Sequence, residues 1–202
     1  MADRAAGTAA AIHRRMTKSC WTALLWALLA LGRVDASAQS IAIIVSVPDQ
    51  RLAVLQDGSR VKQFPISTSK FGLGDRPRSY ATPLGTLQVA AKIGNGAPVG
   101  AVFHGLHPTG EILRPNAPGR DPIVTRILTL RGLDPWNSRA HGRGIYIHGT
   151  AEERTIGRPA SYGCIRMKSR DVVRLFESVA VGARVEIVNV SLSRALNELA
   201  SN

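Results

Sequence analysis

Residues 145–150 read I-Y-I-H-G-T, and residues 161–167 read S-Y-G-C-I-R-M. The first stretch alternates like a strand and ends at His148, which a glycine follows. In the second stretch Cys164 follows Gly163, and a glycine at this point allows the backbone to turn tightly. We therefore expect a histidine at the end of one strand and a thiol on a turn between elements, where backbone N–H groups are free to stabilise an oxyanion.

Short segments of strand character surround these two stretches. The predicted strands cover residues 41–47, 51–55, 61–67, 84–93, 123–130, 144–148 and 185–190. A helix is predicted over residues 171–179, with Ser169 as its N-cap. Residues 94–122 are rich in glycine and proline and follow neither period, which predicts a long irregular loop that forms part of a cleft. The sequence thus predicts a mostly β fold with one short helix after the cysteine.

The N-terminal segment has the pattern of an export signal. Basic residues precede an apolar stretch from Cys20 to Gly32, and Ala36-Ser37-Ala38 supplies the small residues of a cleavage site. We predict a signal peptide over residues 1–38 that is cut near Ala38, one domain over 39–190 and a tail over 191–202 of weak helical character. An uncleaved membrane anchor, and Met16 as the true start, are the alternatives. After cleavage the protein would be periplasmic or associated with the cell wall.

The chain is basic throughout. Its 202 residues carry a formal net charge of +12, and removal of the predicted signal takes away five basic and two acidic residues and leaves +9. Charge of this size favours an anionic wall polymer or membrane surface as the partner of an exported protein. No basic stripe interleaved with aromatic residues is visible, so we do not expect binding to nucleic acid. A hydrophobic fraction of 45% excludes a disordered chain.

Cys164 is the one cysteine that remains after the predicted cleavage, because Cys20 leaves with the signal. A lone thiol in an oxidising compartment persists when it is buried or when it is used chemically. As a nucleophile it must ionise, and a thiol with an ordinary pKa near 8.5 needs an imidazole, a cation or oriented amides to do so. His148, sixteen positions earlier, is the candidate that would hold the thiol ionised. The spacing of this pair is by itself a weak signal, and a buried cysteine with a structural histidine remains an alternative.

The surrounding motifs resemble the L,D-transpeptidase catalytic domain family of bacterial cell-wall enzymes. The matching pieces occur in order over most of the chain after residue 39: V-P-D-Q-R-L at 47–52, F-P-I-S-T-S at 64–69, T-P-L-G at 82–85, I-H-G-T at 147–150, I-G-R-P-A-S-Y-G-C-I-R-M at 156–167, D-V-V-R-L-F at 171–176 and V-E-I-V at 185–188. This resemblance implies a β-sandwich-like fold, with residues 39–190 as the catalytic domain.

The resemblance also assigns roles at the reacting centre. It implies Cys164 as the nucleophile, His148 as the general base and acid, and the backbone carbonyl of Gly149 as the group that orients the imidazole. The backbone amides of Gly163 and Cys164 would form the oxyanion hole. The family uses no metal and no cofactor, and we expect neither here.

Three further residues are implied in substrate binding: Arg166 for a substrate carboxylate, Tyr162 and Ser161. The family most often has a histidine where this chain has Tyr162. A phenol stays protonated at neutral pH, so Tyr162 cannot act as a second base and the activity rests on His148 alone. Tyr162 would then tune the choice of acceptor.

By resemblance, the expected reaction forms 3→3 cross-links between peptidoglycan stem peptides through a cysteine thioester on a tetrapeptide stem. An L,D-carboxypeptidase or amidase would use the same thioester with water as acceptor, and a non-catalytic wall-binding module is the more remote alternative. Asp134 and Asp171 fit a loop and a first helical turn better than a catalytic acid. His104, His107 and His141 lack the additional ligands that a zinc site needs. The sequence leaves the acceptor and the oligomeric state open.

Overall fold

Ten strands and two helices follow one another in the computed structural model, which describes residues 41–201. The strands are β1 (Ile41–Ser46), β2 (Arg51–Gln56), β3 (Ser59–Pro65), β4 (Gly85–Ile93), β5 (Ala101–His104), β6 (His107–Ile112), β7 (Ile123–Gly132), β8 (Tyr146–Thr150), β9 (Ile165–Met167) and β10 (Arg184–Val188). The helices are α1 (Ser169–Ser178) and α2 (Leu192–Ala200), and short 3-10 turns span Pro135–Asn137 and Glu153–Thr155. The predicted signal peptide lies outside the described residues.

All ten strands belong to one hydrogen-bonded sheet. Its main path runs β3-β2-β1-β10-β4-β7-β5-β6, and β8 pairs with both β7 and β9. The β1–β10 and β8–β9 pairs are parallel, and the other pairs are antiparallel. A bridge between Ser67, just after β3, and Arg166 of β9 brings the sheet back upon itself. This arrangement confirms the mostly-β prediction.

The core lies inside this curved sheet and under α1. Alternate residues of β1 show why both faces of that strand are apolar: Ile43 and Val45 enter the main core, whereas Ile44 faces the cluster formed with α2. Helix α1 packs against β7 and β8, and its Val172 and Leu175 are fully buried. Because α1 covers β8, the strand that carries His148 is fixed from one side by a packed helix.

The segment 94–122 differs from the prediction. The expected irregular loop contains the β5–β6 hairpin, so the prediction was wrong over residues 101–112. Five of the six residues of β6 are exposed, and the strand includes Pro108 and Gly110. An exposed edge strand with these residues has no apolar alternation to predict it. The structure also adds the three-residue strand β9, which the sequence did not indicate.

The start of helix α1 also differs. Ser169 is the first residue of the helix rather than its N-cap, which is Lys168. The backbone N–H of Ser169 donates to the Glu153 carboxylate at 2.8 Å, and its hydroxyl accepts from Thr125 at 2.8 Å. A carboxylate at this position satisfies an unpaired N–H of the first turn and complements the helix dipole.

The C-terminal segment packs on the outer face of the sheet. Helix α2 starts after Ser191, whose hydroxyl accepts from the N–H of Arg194 at 3.3 Å. Leu192 and Ala195 are buried against Ile44 and Ala53. Within residues 41–201, neither helix has the length and apolar character required to cross a membrane.

Candidate active site

The parallel β8–β9 pair brings the two sequence motifs together. Ile147 lies opposite Ile165 and His148 lies opposite Arg166. Since successive side chains of a strand point to opposite faces, the two isoleucines enter the core and His148 shares the other face with Arg166. Cys164 directly precedes β9, and the charge of Arg166 acts on both Cys164 and His148. The β8–β9 pairing therefore brings the turn of Cys164 next to the strand of His148.

The Cys164 thiol is partly buried and is hydrogen-bonded to the backbone. Its Sγ atom donates to the carbonyl oxygen of Gly144 at 3.2 Å and accepts from the backbone N–H of Tyr146. Burial raises the pKa of the thiol to about 11, although the Tyr146 N–H and the charges of Arg166 and Arg143 act in the opposite direction. This shift favours a neutral thiol at rest, and the expectation that an imidazole holds it ionised stays a prediction.

His148 is buried, and its ring is fixed by its own neighbour. The Nδ1 atom lies 2.8 Å from the carbonyl oxygen of Gly149. Because a carbonyl only accepts, Nδ1 carries the proton and Nε2 keeps its lone pair. Burial lowers the pKa of His148, so the ring is neutral and can accept a proton at neutral pH. The carbonyl implied for Gly149 by the family resemblance lies at hydrogen-bonding distance from the ring.

Gly149 itself is required by close packing. A β carbon at this position would lie 2.5 Å from the carbonyl oxygen of Val124 and 3.2 Å from atoms of Thr125 and Val172. The first distance falls well inside a van der Waals contact, and the neighbouring atom belongs to the backbone. The residue that orients the imidazole therefore cannot carry a side chain without movement of β7 or β8.

The turn before Cys164 is held by Ser161. Its hydroxyl donates to the Cys164 carbonyl at 2.6 Å and accepts from the Gly163 N–H at 3.2 Å, and its side chain is buried. Thr82 donates to the Gly163 carbonyl at 3.0 Å. Ser161 thus shapes the turn, and its expected contact with a substrate stays a prediction. Since the Gly163 N–H is used in this turn, the oxyanion role predicted for Gly163 and Cys164 rests on the Cys164 amide and stays a prediction.

Arg166 is paired inside the protein. Its Nη1 forms an ion pair with Asp121, its Nη2 donates to the hydroxyl of Thr155 at 3.2 Å, and the residue is only 5% exposed. In this arrangement Arg166 binds a carboxylate of its own chain, and its expected role toward a substrate carboxylate stays a prediction. Asp121 was not among the predicted site residues, because nothing in the segment around it indicates a contact 45 positions further along.

Tyr162 lies on the rim of a cavity of about 340 Å³ beside the cysteine turn. The ring is exposed and packs against Phe71 and Tyr80, at centroid distances of 5.3 and 5.8 Å. The Lys70 ammonium lies 4.4 Å from the ring centroid and 3.1 Å from the hydroxyl. Two loop segments line the cavity together with Tyr162: Pro77, Arg78, Tyr80, Gly142, Arg143 and Ile145. Tyr162 is thus placed where a bound molecule could contact it.

A buried ion pair joins these two loop segments. Arg143 lies 2.7 Å from Asp75, and the side chains of the pair are 10% and 3% exposed. Arg143 also donates to the Ala81 carbonyl at 2.7 Å, while Asp75 accepts from the Arg139 N–H at 2.7 Å. This ion pair therefore connects the two segments of the cavity wall. The Arg143 guanidinium also lowers the pKa of Cys164, which offsets part of the effect of burial.

The remaining candidate residues lie apart from this centre. His104 and His107 are exposed partners in the β5–β6 hairpin. Asp134 caps the 3-10 turn at Pro135–Asn137, and Asp171 stands in the first turn of α1. Across residues 41–201, no three or more histidine, cysteine, aspartate or glutamate side chains are grouped in a way that could hold a metal ion.

A cysteine on the turn before β9 and a buried histidine oriented by a backbone carbonyl on β8 are groups that a cysteine-dependent acyl-transfer enzyme could use. Residues 40–187 match the family model YkuD, the L,D-transpeptidase catalytic domain. The chain belongs to this family, which acts on the peptide stems of peptidoglycan.

Individual relatives agree with the family match. ErfK/SrfK of Escherichia coli K12 is 31% identical over 150 residues, which are 73% of this chain and 44% of that protein. YbiS of the same strain is 44% identical over 48 residues, which are 24% of this chain and 16% of that protein. Both are named as probable L,D-transpeptidases. The chain spans less than half the length of these curated relatives.

Solved structures of the same class are also similar. The L,D-transpeptidase from Mycobacterium smegmatis aligns over 74% of this chain and 59% of its own, with 17% identity and a TM-score of 0.47. An L,D-transpeptidase from Xylanimonas cellulosilytica aligns over 76% and 62%, with 19% identity and a TM-score of 0.47.

Proposed function

We propose that this chain is an exported L,D-transpeptidase that forms 3→3 cross-links in peptidoglycan, with Cys164 as nucleophile and His148 as base. The observation that carries this proposal is the hydrogen bond from His148 to the Gly149 carbonyl. This bond fixes the tautomer in which Nε2 is free to take a proton. The partly buried thiol of Cys164 lies immediately before β9, the strand that pairs with the strand of His148.

The first half-reaction forms the thioester. Sγ of Cys164 attacks the carbonyl carbon of the third residue of a tetrapeptide stem while the thiol proton passes to Nε2 of His148. Because burial raises the pKa of the Cys164 thiol and lowers the pKa of His148, we propose that the proton moves as the sulfur attacks. The tetrahedral intermediate collapses and the bond to the terminal D-alanine breaks. His148 protonates the leaving amine.

The second half-reaction returns the enzyme to its resting state. An amine of another stem attacks the thioester carbon, its proton passes to His148, and the C–S bond breaks as the sulfur regains a proton. The new peptide bond retains the energy of the one that was broken, so no nucleotide is consumed. Ping-pong kinetics follow from the two steps.

The cavity beside the turn supports a substrate that is extended and anionic. Its rim carries exposed aromatic rings and the exposed cations Lys70 and Arg78. Peptide stems present carboxylates, and the chain carries a net charge of +9 once the predicted signal peptide is removed. We assign the recognition of the stem to Tyr162 and these cations, since Arg166 and Ser161 are buried.

The test uses a carbapenem as an acylating probe and then a purified stem. Incubation with the carbapenem should add its mass to the protein at Cys164, and the Cys164→Ala variant should remain unmodified although it folds. An adduct that persists in Cys164→Ala would refute the assignment. A tetrapeptide stem should give a cross-linked dimer when an acceptor stem is present. A product that is only a shortened monomer would make the enzyme a carboxypeptidase.

A further inference from the structure

Asp121 lies just before β7, and its carboxylate reaches both strands of the site. One oxygen pairs with Nη1 of Arg166, which lies opposite His148 in the β8–β9 register. The other oxygen accepts from the hydroxyl of Thr150, two residues after His148, and from the N–H of Glu152 at 3.3 Å. Asp121 therefore connects the strand of the histidine to the strand that follows the cysteine.

The Asp121–Arg166 pair is withdrawn from water. The two side chains are 18% and 6% exposed, and the buried Nε of Arg166 has no hydrogen-bond partner among the described residues. Desolvation of two charges offsets most of their attraction, so a buried ion pair adds little to the stability of a fold. An unpartnered buried N–H adds a further cost. Fold stability alone is thus a weak explanation for this pair.

Asp121 and Arg166 carry charges of the two signs that could stabilise the charges of the reaction. When the proton passes from Cys164 to His148, the sulfur becomes negative and the imidazole becomes positive. The positive Arg166 lowers the pKa of Cys164, which favours the thiolate, but it also lowers the pKa of His148. Asp121 raises the pKa of His148, which favours the imidazolium. Arg143 is the other cation that acts on the thiol.

We propose that Asp121 is a positioning residue for the reaction: with Arg166 it forms a fixed ion pair whose charges complement those that develop on His148 and Cys164. The effect of Asp121 on the reaction rate rests on the function proposed above. The effect of Asp121 on the protonation of His148 does not, because it can be measured in the free protein. Charges that are already in place need no rearrangement when the reaction begins, which is how a preorganised site stabilises a transition state.

The first test is a titration of the His148 ring by NMR in the free protein, with the signal assigned from a His148→Gln variant. In Asp121→Asn we expect a lower pKa for His148, because the charge of Arg166 is no longer balanced. Asp134→Asn is the matched control, since Asp134 also accepts a buried backbone hydrogen bond, from Thr86 at 2.7 Å. It should leave the His148 pKa unchanged. An unchanged pKa in folded Asp121→Asn would overturn the proposal.

The second test measures the rate of acylation by a carbapenem. Asp121→Asn should react about 10–100-fold more slowly than the parent protein, the range seen when a residue that orients a ligand or base is lost. The double variant Asp121→Asn/Arg166→Gln leaves no charge of this pair buried without its partner. Its acylation rate therefore tests the role of Asp121 even if the single variant does not fold. A merely structural pair predicts recovery of the rate in the double variant, and our proposal predicts that the rate stays low.

The two proposals fail in different ways. A tenfold change in rate corresponds to a barrier change of about 1.4 kcal/mol. A double variant that reacts within about twofold of the parent rate has lost far less than this, and that result would overturn the role of Asp121. A parent protein that no carbapenem acylates would refute the proposed function instead. The NMR titration would then still decide whether Asp121 sets the protonation of His148.

Discussion

The imidazole of His148 is oriented by the residue that follows it: Nδ1 of His148 lies 2.8 Å from the carbonyl oxygen of Gly149. Among residues 41–201 no carboxylate is hydrogen-bonded to the ring, and Asp121 acts on it as a nearby charge. A backbone carbonyl cannot be removed by substitution, but its position depends on how closely β7 and β8 approach. The packing of Gly149 is therefore part of the orientation of the base.

We expect Gly149→Ala to destabilise the protein by about 1–3 kcal/mol, because the added methyl group meets the Val124 carbonyl and forces the strands apart. Denaturation in urea measures the change. Gly142→Ala is the matched control, since the nearest atom to its new methyl group is 3.8 Å away. Equal midpoints for Gly149→Ala and the parent protein would contradict the packing argument.

Replacement of the base should slow acylation without loss of the fold. We expect His148→Ala to reduce the rate of acylation at Cys164 by about 10²–10⁴, the usual contribution of a general base. His107→Ala serves as the control, because His107 is exposed on β6 and should leave the rate unchanged. Mass spectrometry over time gives both rates. A parent-like rate in His148→Ala would assign the base to another group.

The thiol should titrate far above neutral pH. Burial raises the pKa of Cys164 to about 11, so thiolate absorbance in the ultraviolet should develop near that pH in the folded protein. Cys164→Ser supplies the background from the tyrosines. An inflection below pH 8 in the folded protein would show that the thiol rests as an ion pair with His148 after all.

The same shift makes stability depend on pH in the alkaline range. The unfolded chain has the pKa of an exposed thiol, about 8.5–9, so the unfolded state loses its proton first and the free energy of unfolding falls as the pH rises from 9 toward 11. The loss by pH 10 is about 1 kcal/mol. Urea denaturation at pH 8 and pH 10 should show this loss, and Cys164→Ser should lack it. A parallel decline in both proteins would assign the effect to other groups.

The ion pair in the cavity wall should matter for stability. Asp75→Asn leaves the Arg143 guanidinium buried without its counter-charge, and we expect a cost of about 3–5 kcal/mol in urea denaturation. Glu198→Gln breaks an exposed ion pair with Arg194 on helix α2 and should change stability by less than about 1 kcal/mol. If both substitutions had similar small effects, Asp75 would not be holding the wall together.

Much of the fold could be predicted because its central strands carry strong local patterns. Strands β1, β7 and β8 are rich in buried β-branched residues, and turn residues separate them, so their positions followed from the sequence within a few residues. The β5–β6 hairpin escaped prediction because its outer strand is exposed and faces no core. Because its side chains are not buried, the outer strand lacks the alternation of apolar and polar residues that would predict a strand.

The residues of the site could likewise be predicted only where a local motif marks them. Cys164 and His148 were indicated by their motifs, and Gly149 by the resemblance of those motifs to the family. The partner of Arg166 could not be predicted, because Asp121 is 45 residues away and meets it only after β9 pairs with β8. Burial of the thiol likewise depends on the whole fold. The raised pKa that burial gives the thiol could therefore not be predicted from its sequence neighbours.

The bridge between Ser67 and Arg166 joins two parts of the chain that are synthesised at different times. A ribosome makes Ser67 about a hundred residues before Arg166, and the turn of Cys164 is bonded to Thr82 from that early part of the chain. A growing or unfolded polypeptide therefore carries the Cys164 sulfur without the imidazole, the cavity wall and the charges that lie around it in the folded protein. The site is complete only after residues 161–166 have joined residues 67–82 from the early part of the chain, so its assembly waits for most of the polypeptide to be made.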